Sequence, residues 1–177
     1  MTVAMQNLDA VREALPEPAK DLRLNLQSVL ASERLGPEQV WGVALASACF
    51  VREPRLREAI LADARAAGVP DAVIDDARAA AALMGMNTVY YRFRHLVGKE
   101  SYQHRPARLR MTRMARPASS KVNFELFSLA CAALAGCEAC VKAHEGILLQ
   151  QGLTEEHAHD AVRIAAVIHG VAVALAI

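Results

Sequence analysis

Shifted by 84 residues, the chain lies on itself without a gap. Leu45, Ala46 and Ala48 fall on Leu129, Ala130 and Ala132, Gly68 on Gly152, Asp76-Ala77 on Asp160-Ala161, Ala81-Ala82 on Ala165-Ala166, and Val89 on Val173. Alanine meeting alanine is a weak coincidence in so Ala-rich a chain. The glycine and aspartate pairs carry more, because they fall at equivalent helix boundaries and positions. Repeated units of this kind pack into a shared core, so two pseudo-equivalent halves are expected in one domain over residues 1–177. The first copy spans about 19–97 and the second about 106–177.

Which elements those halves contain follows from composition and punctuation. Hydrophobic residues make up 54% of the chain and aromatic ones only 5%, so the apolar content is mainly Ala, Leu and Val, which closely packed helices favour. The class is expected to be all-α. Helices are expected at 5–15, 19–31, 37–51 behind Gly36-Pro37, 54–67 up to Gly68, and from 71 to 91 or beyond. Residues 98–106 form the candidate linker. The second half then reads 108–116, a break at Pro117, a serine-capped helix over 119–134, the turn Ala135-Gly136, a helix over 137–151, and a last helix started by Thr154. No segment alternates like a strand over enough length to compete.

Several function classes lose support at this point. Twenty basic side chains face nineteen acidic ones, for a formal charge of +1, with no long run of one sign. That leaves no electrostatic footprint for nucleic acid or an anionic membrane. The basic stretch from His104 to Arg116 lacks interleaved aromatics and reads as a solvated connector. The first twenty residues lack the pattern of a signal peptide, so a cytoplasmic location is expected. Ala161 to Ile177 carries Arg163, His169 and Gly170, falls short of a membrane span, and reads as a buried helix with His169 as a core histidine.

In a reducing compartment, closely spaced cysteines suggest redox or metal chemistry rather than a structural disulfide framework. Cys49 and Cys131 stand alone in apolar runs and read as small buried hydrophobes. Cys137 and Cys140, within GCEACVKAHE at 136–145, form the one close pair, and His144 follows one turn later. The first copy has Glu53, Leu56 and Ile60 in their places, so the fold does not need them. A helix starting near Cys137 sets all three side chains on or near one face, with the thiols at its electropositive end. Glu125, in the apolar run VNFELF, returns towards His144 if the two helices form an antiparallel pair; a solvated position suits its periodicity equally. A Glu125–His144–Cys relay would let a thiol lose and regain its proton without bulk water.

NFEL at 123–126 together with GCEACVKAHE resembles the alkylhydroperoxidase D family, within the carboxymuconolactone decarboxylase-like superfamily. MGMNTVYYR at 84–92 and LPEPAKD at 15–21 are similar to its first-half and opening motifs, so the resemblance covers essentially the whole chain. It implies an all-helical fold carrying a redox dithiol, with Cys137 and Cys140 able to form a disulfide. The implied activity is that of an antioxidant thiol-disulfide oxidoreductase with alkyl hydroperoxide reductase activity. Electrons would pass from the dihydrolipoamide of a lipoylated acyltransferase to an AhpC-type two-Cys peroxiredoxin, with no bound cofactor. Cys140 would meet peroxide or an alkyl hydroperoxide through a sulfenic acid. Cys137 would be the more accessible thiol that resolves it and exchanges with partners, and Glu125 and His144 would be the proton relay. A homotrimer is also implied. One departure is Ala139, where some members carry a further histidine.

Other readings stay open on the residues themselves. Zinc could take Cys137, Cys140 and His144 with Glu125 as fourth ligand. A ring-opening or decarboxylating relative is a second alternative, and a non-catalytic helical module a third, although it leaves the CxxC unexplained. Met84, Met86 and Asn87 read as packing and a helix-bend hydrogen bond. His157 and His159 are expected to face solvent.

Overall fold

The structure, a computed structural model, describes residues 5–177 and is all-helical there. Two short helices open it, α1 (Gln6–Glu13) and α2 (Asp21–Leu30), with a 3₁₀ turn at Glu17–Ala19 between them. The first half then runs α3 (Pro37–Val51), α4 (Pro54–Ala66) and α5 (Asp71–Val97). A connector carries the single-turn helices α6 (Glu100–Gln103) and α7 (Thr112–Ala115). The second half is α8 (Lys121–Leu134), α9 (Glu138–Gln150) and α10 (Glu155–Leu175).

Helix positions obey the 84-residue offset. α3 and α8 start at Pro37 and Lys121, α5 and α10 at Asp71 and Glu155, and α4 and α9 agree at both ends. The long helices differ in length because α5 continues to Gly98, whose left-handed backbone ends it at φ 64°. The 98–106 linker therefore begins where a helix stops, and includes α6.

α3 and α8 form the centre. Val40 to Ala48 and Asn123 to Ala132 are buried without interruption, which is the signature of helices covered on all sides. The two approach closely at Gly42, where an added Cβ would stand 2.1 Å from Cζ of the Phe127 ring. α5 and α10 pack against both, α4 against α3, α9 against α8 and also against α5 of the other half, α2 against α10, and α1 against α4.

The two aspartates that mark the repeat explain how the halves lock together. Asp76, on α5, accepts hydrogen bonds from Arg113 Nε (2.8 Å), Ala118 N (3.0 Å), Ser119 N (2.7 Å) and Ser119 Oγ (2.7 Å). Asp160, on α10, accepts from Ser32 Oγ (2.7 Å), which in turn accepts the N–H groups of Arg34 and Leu35. Each half's long helix thus holds the segment that leads into the other half's first long helix. Arg113 belongs to the basic stretch, which is in part an anchor rather than a wholly solvated connector.

α10 corrects two expectations. At 21 residues it is long and apolar enough to cross a membrane by length and composition, more so than the 161–177 segment suggested. One face is packed into the core through Ala161, Ile164, Ala165, Ile168 and Val171. His169 lies at the edge of that face and is exposed, not a core histidine. His159 is exposed as expected, while half-buried His157 serves the capping box of Thr154.

Candidate active site

The turn between α8 and α9 is a Schellman motif. Gly136 takes φ 63°, its N–H donates to Ala133 O, and the Cys137 N–H donates to Ala132 O. This ending folds α9 back along α8 and makes Cys137 the N-cap residue of α9. Cys140 is the third residue of that helix, so both sulfurs lie in the turn whose N–H groups lack helical acceptors. Arg92 Nη1 donates to Ala135 O and His95 pairs with Glu138 at 3.2 Å, so the C-terminal part of α5 braces this turn.

Cys137 and Cys140 are joined as a disulfide, with their Cα atoms 5.3 Å apart. Their exposure reverses the expected order. Cys137 is 0% exposed and Cys140 6%, with the C-terminal part of α5 braced against Ala135 and Glu138 on either side of Cys137. Cys140 also lines a cavity of about 340 Å³, and Cys137 does not. Met84, Tyr91, Met111, Met114 and Ile147 form most of the apolar wall; Asn87, Lys121, Glu125 and His144 supply its polar groups.

Glu125 is not on a solvated face. It is 1% exposed, and its Oε2 lies 2.6 Å from His144 Nδ1. Its Oε1 lies 2.6 Å from Lys121 Nζ, which also donates to Met114 O at 2.8 Å. Burial acts to raise the Glu125 carboxyl, but hydrogen bonds and electrostatic attraction from His144 and Lys121 outweigh it and hold the group below the ordinary carboxylate value. His144 sits one turn after Cys140 on α9, and its Nε2 makes no hydrogen bond among the described residues. A carboxylate that fixes one imidazole nitrogen and leaves the other free is a proton-handling arrangement.

All four expected site residues, Glu125, Cys137, Cys140 and His144, are therefore brought to one place. Two further residues join them. Lys121 was legible in principle, since it lies one helical turn before Glu125 with the spacing of an ion pair. Asn87, read as packing and a helix-bend hydrogen bond, lines the cavity; its Nδ2 contacts Met114 Sδ at 3.3 Å and its Oδ1 is buried without a partner among the described residues. Cys131 is fully buried, as expected of a small hydrophobe, whereas Cys49 is only half-buried. With Cys137 and Cys140 joined as a disulfide, neither sulfur is a thiolate ligand for zinc, and among the described residues no group of three or more His, Cys, Asp or Glu is disposed to hold a metal.

Residues 100–177 match the Carboxymuconolactone decarboxylase family, a match that spans the half carrying the site. Alkyl hydroperoxide reductase AhpD from Anaeromyxobacter sp. (strain K) is 60% identical over 171 residues, 97% of this chain and 91% of that protein. The chain belongs to the alkylhydroperoxidase D family. Proteins of the same name from Rhodospirillum centenum (48% identical, 96% of this chain and 90% of that protein) and Brucella canis (45%, 96% and 96%) are also similar over nearly full length. Within this alkylhydroperoxidase D chain, Ala139 is part of the cavity wall beside Cys140. Ala139 is apolar, so among the described residues His144 is the one imidazole lining that cavity.

Proposed function

We propose that the protein is an alkyl hydroperoxide reductase and thiol-disulfide oxidoreductase in which Cys140 attacks the peroxide and Cys137 resolves it. The observation that carries this is the convergence of the disulfide with the Glu125–His144 pair on one largely apolar cavity. In the dithiol form, the helix terminus favours a thiolate, and His144 accepts the Cys140 proton. The Cys140 thiolate takes the distal oxygen of ROOH; with one proton, Cys140 sulfenic acid and ROH result. The Cys137 thiol then attacks that sulfur, water leaves, and the disulfide forms.

A dithiol returns the protein to its reduced form by exchange through a mixed disulfide. The proposed source is the dihydrolipoamide of a lipoylated acyltransferase, which leaves as the cyclic disulfide, in the cytoplasm. The proposed second acceptor is the disulfide of an AhpC-type peroxiredoxin, reduced by the Cys137/Cys140 dithiol. A homotrimer is proposed as the assembly. Because both sulfurs are buried, exchange with a bulky partner requires the cavity mouth at Cys140 or a local opening of the α9 terminus, rather than an exposed Cys137.

The test is anaerobic and stoichiometric. Fully reduced protein, freed of reductant, is mixed with one equivalent of tert-butyl hydroperoxide. Intact mass should fall by two hydrogens, with the linkage mapped to Cys137 and Cys140 and tert-butanol released in equal amount. Free dihydrolipoamide should reverse the change. Retention of both thiols together with unconsumed peroxide would refute the proposed reaction.

A further inference from the structure

Glu125 has two partners, and the relay uses only one of them. Lys121 is the other. It is the only Lys or Arg paired with Glu125 among the described residues, and its Nζ is fixed twice, by Glu125 Oε1 at 2.6 Å and by Met114 O at 2.8 Å. Its side chain is 41% exposed while that of Glu125 is 1%, so the ammonium reaches inward from the surface to a buried carboxylate. Around the carboxylate, α9 contributes Cys140 and His144, α5 contributes Asn87 and Tyr91, and the α7 segment contributes Met111 and Met114. Arg113, the cation of that segment, is committed to Asp76.

We propose that Lys121 is a positioning residue of the Cys140 site: its ammonium keeps Glu125 a carboxylate, and that carboxylate holds the His144 proton on Nδ1, leaving Nε2 free to accept. A neutral imidazole carries one N–H, and its place is decided by whichever partner the ring faces. An ionised carboxylate only accepts, so the proton must sit on Nδ1. A protonated carboxyl donates instead, and would drive the ring proton onto Nε2, which could then no longer take a proton from a thiol. Without Lys121, Glu125 would be a buried carboxylate with one oxygen unpaired, the situation in which desolvation favours the neutral acid. Lys121 thus acts on the thiol through two intermediaries and touches no reacting atom. The role rests on the peroxidase reading only for what the relay serves, since the tautomer can be observed without any peroxide.

The experiment uses reduced protein with ¹⁵N-labelled histidine at about pH 8, where ordinary imidazoles are neutral. His144→Gln assigns the resonances. The wild-type ring should show a protonated Nδ1 and a bare Nε2. Lys121→Met should convert it to the Nε2–H form. In a Cys137→Ser background, it should also slow alkylation of Cys140 by iodoacetamide about tenfold near pH 7, the low end of what a histidine's outer partners contribute, and displace the pH profile upward. Lys121→Arg should restore tautomer and rate to within about twofold, as a role in charge rather than packing requires. Lys121→Gln keeps a donor without the charge, and should give the Lys121→Met result if that variant fails to fold. An unchanged tautomer in the neutral variants, or equal loss in Lys121→Arg, overturns the assignment. If the tautomer switches while no variant or wild type reduces peroxide, the functional proposal falls and this one stands.

Discussion

Arg52 and Gly136 stand 84 residues apart at the end of α3 and of α8, and both hold left-handed backbone, at φ 61° and 63°. The repeat has kept the conformation and changed the residue. Only the half that bears the dithiol uses the residue for which this conformation is unstrained.

Gly136→Ala should therefore destabilise the protein by about 1–2 kcal/mol. No atom lies within 4 Å of the added Cβ, so the loss would be one of backbone conformation rather than packing. Arg52→Gly should be neutral or stabilising by up to about 1 kcal/mol. Urea unfolding of both variants, read as midpoints at constant slope, checks the pair.

Asp76 should dominate the coupling between the halves. Asp76→Ala removes the shared acceptor of two backbone N–H groups, a hydroxyl and a guanidinium at a part-buried site, a loss on the order of 2 kcal/mol. The sign of its pH dependence follows from its environment. Burial acts to raise its carboxyl, and hydrogen bonds from Ala118, Ser119 and Arg113 outweigh that and hold it below its ordinary value. A group depressed in the folded state contributes fully above its unfolded value, about 3.9, and the contribution is lost as pH falls through the folded value. Glu125 acts in the same direction. Urea midpoints should decline from about pH 5 downward, and the decline should be shallower in Asp76→Asn.

The α3/α8 crossing should be intolerant of a single methyl group. Gly42→Ala drives a Cβ into the fully buried Phe127 ring, and should destabilise by about 1–3 kcal/mol through overpacking. Adding Phe127→Leu should recover part of that loss. A double-mutant cycle by thermal unfolding measures the recovery, and strict additivity would contradict the close approach.

Much of this was readable from the chain, for identifiable reasons. Glycine at left-handed positions, proline at helix starts and a serine or threonine cap are local signals, so the boundaries at Pro37, Pro54, Gly68, Gly136 and Thr154 could be placed closely. The CxxC with His144 one turn on is also local. Glu125 is not: whether it is solvated or buried depends on where α9 returns, which periodicity leaves undecided. The relative burial of Cys137 and Cys140 was misjudged for the same reason. The glycine turn suggests exposure, but the C-terminal part of α5 closes over it through Arg92 and His95, which lie more than 40 residues earlier in sequence. The exposed face of α10 at His169 and the cavity role of Asn87 likewise emerge only from packing between halves.

The central claim is that Cys140, served by His144 and Glu125, is the sulfur that meets peroxide. It is tested most directly by trapping sulfenic acid with a selective reagent and mapping the label by peptide mass in Cys137→Ser and Cys140→Ser. The account predicts peroxide-dependent label on Cys140 in Cys137→Ser, none on Cys137 in Cys140→Ser, and labelling of Cys140 slowed by roughly 10²-fold or more when Glu125→Gln or His144→Ala is added. Label on Cys137 in Cys140→Ser at the rate seen for Cys140 would contradict it.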